Sequence, residues 1–248
     1  GKDRQTMIFS ATMPKGIAEL ASGYLTNPVR VEVSQPGKVA DKVSHAVHFV
    51  TKDDKKSLLI SLLNRNKTGR SLVFARTKHG AERLMKQLEQ AGFNAASIHG
   101  NKSQSQRDRA ITNFRDGTVE ILVATDVAAR GIDIPDIEQV YNYDLPNVPE
   151  NYVHRIGRTA RAGRKGNAIA FCSAEEMSEL RAIEKVLAIG IEVVGGKPWS
   201  DETAKRAKSA AKEATKTAAA ARTEARRKKP RQTTKPAAAK GGPSKPSS

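Results

Sequence analysis

The chain has 248 residues, a single cysteine, and 43 Lys+Arg against 26 Asp+Glu, for a formal charge of +17. One cysteine excludes an internal disulfide and a cysteine-built zinc site, and no apolar run is long enough to cross a bilayer. The charge is uneven: 14 basic and 4 acidic residues from Ser200 onward give +10, and the remainder carries +7. Both parts favour an anionic partner, nucleic acid first. The five histidines, His45, His48, His79, His99 and His154, show no metal-ligand spacing, and His45 with His48 fits an exposed strand better than a ligand pair. No signal peptide is seen, so a cytoplasmic protein without membrane contact is the expectation. The abrupt opening on Gly1 suggests a piece of something longer.

In chain order, Thr6–Phe9 reads as a short strand followed by Ser10-Ala11-Thr12, and Pro14 opens a helix to about Leu25. Val29 to Val33 alternates as a strand. Ser34-Gln35-Pro36-Gly37-Lys38 has turn composition and predicts a domain boundary there. Beyond it the pattern is regular. Strands are predicted at Val43–Val50, Ser71–Ala75, Ala95–Ile98, Glu120–Ala124, Ile137–Tyr141, Ala168–Cys172 and Ile191–Val194. Helices are predicted at Lys55–Asn64, His79–Ala91, Ser103–Phe114 and Ala174–Ile189. That alternation implies an α/β fold, a parallel sheet with helices on both faces. From Trp199 the chain turns to Ala, Lys, Arg and Glu with no apolar stripe. Asp201–Lys229 is expected to be at most a fraying helix, and Pro230–Ser248 to be disordered.

The segment Tyr152–Arg164 holds four arginines and a histidine, and no acidic residue occurs between Asn151 and Ala174. Asn147 with Glu150 resembles a capping box, which predicts a helix carrying His154, Arg158 and Arg161 on one face. Unneutralised guanidinium groups there would suit phosphate. In open parallel sheets, ligands bind beyond the carboxyl ends of strands. There the sequence places Ser10 and Thr12, Arg76 and Thr77, His99 and Gly100, Thr125 and Asp126, then Arg130, Gly131 and Asp133. Hydroxyls and helix-terminal N–H groups hold phosphate oxygens, glycines admit a sugar-phosphate backbone, and Asp133 could accept from a ribose hydroxyl.

The ordered series Ser10-Ala11-Thr12, Phe74-Ala75-Arg76-Thr77, Gln104-Ser105-Gln106-Arg107, Thr125-Asp126-Val127-Ala128-Ala129-Arg130-Gly131-Ile132-Asp133 and His154-Arg155-Ile156-Gly157-Arg158-Thr159-Ala160-Arg161 resembles the motif series of the DEAD-box RNA helicases. The resemblance covers roughly Gln5 to Val194 and looks most like the bacterial members with short basic tails. It implies a RecA-like fold. Residues 1–35 would end a first RecA-like domain, 36–197 would form the second, and 198–248 would be a basic low-complexity tail. It implies an ATP-dependent RNA helicase using ATP with Mg²⁺, held mainly by the N-terminal RecA-like domain of the same protein. Arg158 and Arg161 resemble arginine fingers that reach the γ-phosphate, His154 resembles the residue linking the two domains' motifs, and Ser10 and Thr12 belong to the coupling element. Asp133, with Gly131, matches the ribose position, and Thr77, Gly100, Arg107, Thr125 and Arg130 match RNA-backbone positions. Partners in ribosome assembly or RNA decay stay open.

Two departures stand out. Many members have Gly where Ala160 stands, and Ala, a better helix former, is expected to keep the geometry. The sequence has no phosphate loop and no Asp-Glu-Ala-Asp, so the chain alone is expected to be catalytically inactive. The competing reading is an ATP-independent RNA-binding or annealing module. For the tail, non-specific RNA tethering competes with a purely solubilising role.

Overall fold

The computed structural model describes residues 4–10, 13, 15–31, 43–66, 69–129, 137–160 and 166–228. The chain forms two compact units, Gly1–Lys208 and Ser209–Ser248. In the first, seven parallel strands form one sheet: β1 (Val43–Phe49), β2 (Arg70–Phe74), β3 (Ala95–Ile98), β4 (Ile121–Ala124), β5 (Ile137–Asn142), β6 (Gly166–Cys172) and β7 (Glu192–Gly195). Their order across the sheet is β3-β4-β2-β5-β6-β1-β7. The helices are α1 (Lys15–Tyr24), α2 (Lys55–Arg65), α3 (Lys78–Gln90), α4 (Gln104–Arg115), the single turn α5 (Asp126–Ala129), α6 (Pro149–Ile156), α7 (Met177–Leu187) after a 3-10 turn at Ala174–Glu176, and α8 (Asp201–Lys228).

Strand alternation divides the core. On β2, Leu72 and Phe74 face a layer completed by Phe114 of α4, Tyr152 and Ile156 of α6, and Leu180, Ile183 and Leu187 of α7. Val73 and Ala75 face the opposite layer, with Leu59 and Leu63 of α2 and Leu84 and Leu88 of α3. Both faces are therefore covered, as continuous apolar strands require. β1 lies between β6 and β7, so His45 and His48 are partly buried rather than on an exposed strand. Burial lowers the pKa of both, with Arg65 adding to the effect at His48.

The expected strand at Thr6–Phe9 does not form, and neither do the described residues of the second, Val29–Val31. A strand exists only by pairing, and the described residues offer these segments no neighbour. Met7, Phe9, Leu20, Tyr24, Val29 and Val31 are correspondingly exposed.

The start of α8 is more firmly held than its composition suggests. The Trp199 indole donates to the Cys172 carbonyl at 3.0 Å, Trp199 and Ala204 pack on the core, Asp201 pairs with Arg181, and Lys208 reaches Glu179 at 3.4 Å. In the second unit, the helix runs on to Lys228, with the hydroxyls of Thr215 and Thr217 bonding back to Ala211 and Glu213.

Gly166 opens β6 against Thr159, whose hydroxyl donates to the carbonyl of Ile137. A Cβ at 166 would meet the Thr159 side chain and lie 2.6 Å from the Ala160 nitrogen. Gly166→Ala should therefore cost about 2–3 kcal/mol, as overpacking of a closed site does, read as a fall in the urea midpoint at unchanged slope.

Candidate functional site

The sheet's carboxyl edge carries the chemistry, and four neighbouring strands, β3, β4, β2 and β5, supply it. Thr77 follows β2 and caps α3, accepting from the Gly80 amide at 3.0 Å. Gly100 lies in the turn after β3, just past His99. Glu82 of α3 fastens that turn. Its carboxylate accepts from the Ser97 hydroxyl at 2.6 Å, meets His99 Nε2 at 3.0 Å and pairs with Lys102 at 2.9 Å. Arg107, on the first turns of α4, donates to the Ala128 carbonyl at 3.3 Å, and Ser103 and Gln106 close a capping box at that helix's start. Thr125 follows β4, and its carbonyl accepts from Ala128 and Ala129 to close the α5 turn.

The α6 region departs from expectation in three ways. The helix ends at Ile156 with Gly157 as C-cap, and the Arg158 amide turns back to the Arg155 carbonyl at 3.0 Å. His154 and Arg158 thus do not share a helical face; a turn brings them together. No capping box forms from Asn147 and Glu150, because Val148 is the N-cap and Pro149 opens the helix. Finally, Ala160 is not helical: its φ is +56°, the left-handed region. There Ala is strained by about 1–2 kcal/mol, where Gly would lose only about 0.5–1 kcal/mol in flexibility. Ala160→Gly should therefore raise stability by about 0.5 kcal/mol, seen as a small rise in Tm.

The residue missed from sequence is Arg155. It is 2% exposed and clasps Asp126 bidentately, Nε to Oδ1 at 2.6 Å and Nη2 to Oδ2 at 2.9 Å. Its Nη1 donates to Asn142 Oδ1 at 3.1 Å and to the Asp144 carbonyl at 2.7 Å, and its guanidinium lies 4.9 Å from the Phe74 ring centroid. The signal was available: Tyr152, Arg155 and Ile156 fall at i, i+3 and i+4, one face of the helix, and the two neighbours are apolar. An arginine on a buried face needs an acid, and Asp126 was the one to find. The segment's positive charge is thus partly neutralised from a distance in sequence.

His154 and Arg158 line one cavity of about 50 Å³ with Phe74, Asp126, Ala129, Asn151 and Arg155. A nucleotide needs several hundred Å³, so these residues fit one anionic group and not a whole nucleotide. Among the described residues no group of His, Cys, Asp or Glu could hold a metal ion. Ser10 is exposed. Thr12, Arg130, Gly131, Asp133 and Arg161 lie outside the described residues.

The sequence of residues 54–163 matches the helicase conserved C-terminal domain. The Escherichia coli DEAD-box protein SrmB, solved bound to the regulator of ribonuclease activity RraA, is 39% identical, with a TM-score of 0.57 over 64% of this chain and 92% of that one. The chain belongs to the DEAD-box family. Saccharomyces cerevisiae Dbp5, solved bound to RNA and ADP BeF3, matches 84% of this chain and 56% of its own, at 35% identity and a TM-score of 0.73. The pre-mRNA-splicing ATP-dependent RNA helicase PRP28 of Pyricularia oryzae is 42% identical over 186 residues, 74% of this chain and 28% of that protein. The chain spans about a quarter of the length of the curated relatives it matches. These relatives come from fungi and a bacterium alike, so likeness at this level does not separate a bacterial subgroup. The sheet is the RecA-like sheet of the DEAD-box C-terminal domain.

Glu82 yields a prediction on this edge. The Ser97 hydroxyl, and after it Lys102 and His99, hold its carboxyl down at about 2 against an ordinary 4.5. A depressed folded-state value means its contribution is complete above about pH 4.5 and fades as the pH falls toward 2. Glu82→Gln should cost about 1 kcal/mol at pH 7. The difference from the parent should shrink through that acid window, followed by denaturant melts at a series of pH values.

Proposed function

We propose that this chain completes the nucleotide site of an ATP-dependent RNA helicase and grips the RNA backbone, coupling ATP hydrolysis to duplex unwinding or ribonucleoprotein remodelling. The single observation that carries the reading is the cavity in which His154 and Arg158 meet, lined by Phe74 at the end of β2 and Asp126 just after β4, the strands that lead into Thr77 and Thr125. Its relatives are ATP-dependent RNA helicases, which supports the same assignment.

In this reading Arg158 and Arg161 approach the γ-phosphate from across an interdomain cleft and stabilise charge as it develops there, a contribution on the order of 10³–10⁵ in rate for such fingers. Mg²⁺, when bound, neutralises the phosphates, and the N-terminal RecA-like domain holds it with ATP. His154 orients against the Ser10–Thr12 element, and Asp133 with Gly131 takes the ribose. Thr77, Gly100, Arg107, Thr125 and Arg130 hold phosphates and sugars of the RNA. Such contacts imply little sequence preference and a strong salt dependence. The exposed apolar side chains of residues 7–31 fit the remainder of a first RecA-like domain. The chain alone is then inactive, and the basic tail adds electrostatic tethering of RNA.

The test is RNA-stimulated ATPase activity of the full-length protein. Arg158→Ala and Arg161→Ala should each lower kcat by 10² or more, on the order expected for removing one such donor, while RNA affinity holds within about threefold. Variants that keep full turnover would take Arg158 and Arg161 out of the nucleotide site, and a parent that binds RNA without ATPase activity would favour the ATP-independent module.

A further inference from the structure

Behind the RNA-facing loop lies a polar cluster that the reading above does not use. Glu176 is 2% exposed, on the turn before α7, and its carboxylate takes hydrogen bonds from four residues. Oε1 accepts from Arg76 Nη2 at 2.9 Å and from the Leu145 amide at 3.1 Å. Oε2 accepts from Lys55 Nζ at 2.5 Å and from the Ser173 amide and hydroxyl at 3.1 and 2.9 Å. Lys55, also 2% exposed, donates further to the Tyr143 carbonyl at 2.7 Å. Arg76 donates from Nη2 to the Leu145 carbonyl at 3.2 Å, and its amide donates to Asp144 Oδ2 at 2.9 Å.

One peptide group joins this cluster to the phosphate-facing helix. The Asp144–Leu145 peptide donates its N–H to Glu176, and its C=O accepts from Arg155 at 2.7 Å. Arg155 precedes Arg158 by three residues and follows His154 directly. The other end of the chain of contacts is Arg76, immediately before Thr77. A rigid peptide plane bonded on both sides passes a tilt from one partner to the other, and in this buried setting each bond is strengthened by the low dielectric. Stability alone is a weak reason for the cluster, because well-packed apolar residues often serve as well as a buried ion pair.

We propose that Glu176 is a positioning residue that couples the Arg76–Thr77 loop to α6 through the Asp144–Leu145 peptide. RNA seated at Thr77 then biases the orientation of His154 and Arg158, and an anion at Arg158 biases the loop in return. Such coupling is reciprocal and amounts typically to about 5–150-fold in affinity. The proposal rests on the helicase reading.

The test uses the full-length protein and measures RNA affinity with and without a non-hydrolysable ATP analogue, the ratio being the coupling factor. RNA-stimulated ATPase and Tm are measured alongside. Glu176→Gln removes the charge at the centre. Arg76→Gln, at a side chain 35% exposed, cuts the link at less risk to folding and decides the matter if the first variant does not fold. The coupling factor should fall at least about fivefold, with RNA affinity in the absence of nucleotide changed far less. A folded Arg76→Gln protein with the parental coupling factor overturns the proposal, even if both affinities weaken together, since that pattern marks a merely structural support. A parent with no RNA-stimulated ATPase activity at all overturns the helicase reading first, and the coupling proposal with it.

Discussion

The structure of this domain's carboxyl edge depends on one buried cation. Arg155 enters a face of α6 otherwise occupied by Tyr152 and Ile156, and a guanidinium taken out of water there is tolerable only if its donors are met. Asp126, Asn142 and the Asp144 carbonyl meet four of its five N–H groups. The partners come from two strand ends: the turn after β4, and the last residue of β5 with the segment just beyond it. Satisfying one side chain therefore fixes two loop origins relative to α6. Asn142 shows what this costs, for its oxygen is committed to Arg155 and its buried Nδ2 has no hydrogen-bond partner among the described residues.

That constraint explains how a short helix can present His154 and Arg158. With α6 ending at Ile156, the backbone turns back at Arg158, and Ala160 adopts a left-handed conformation before β6 begins at Gly166. Thr159, buried against the Ile137 and Glu138 carbonyls, anchors the turn from below. Gly157–Ala160 is thus a turn held at Arg155 on one side and at Thr159 on the other. A turn of this kind brings the His154 imidazole and the Arg158 guanidinium to one small cavity.

The strand order gives the edge its second property. Because β3, β4, β2 and β5 are neighbours, residues separated by dozens of positions line one rim, and each is fastened by its own polar anchor. Glu82 holds the turn around Gly100, Ala128 holds Arg107, and Glu176 holds the loop before Thr77. Of these anchors Glu176 is buried and Glu82 half-buried, and polar anchors behind the loops give them stiffness.

Much of this was legible in the sequence. Apolar runs bounded by turn residues located all seven strands of the sheet within two residues, because burial on both faces leaves little choice of composition. The motif series named the family. The tertiary structure alone decided three things. Thr6–Phe9 shows the β pattern yet stays unpaired among the described residues, since a strand's hydrogen bonds are supplied by a neighbour. Ala160 is left-handed where propensity favours a helix, since local propensity carries no sign of a turn packed against Thr159 and the start of β6. And the arginine cluster, free of acids in its own sequence, is partly balanced by Asp126, which pairs with Arg155 from nearly thirty residues away, because charge compensation is set by distance in space and a linear sequence records only distance along the chain.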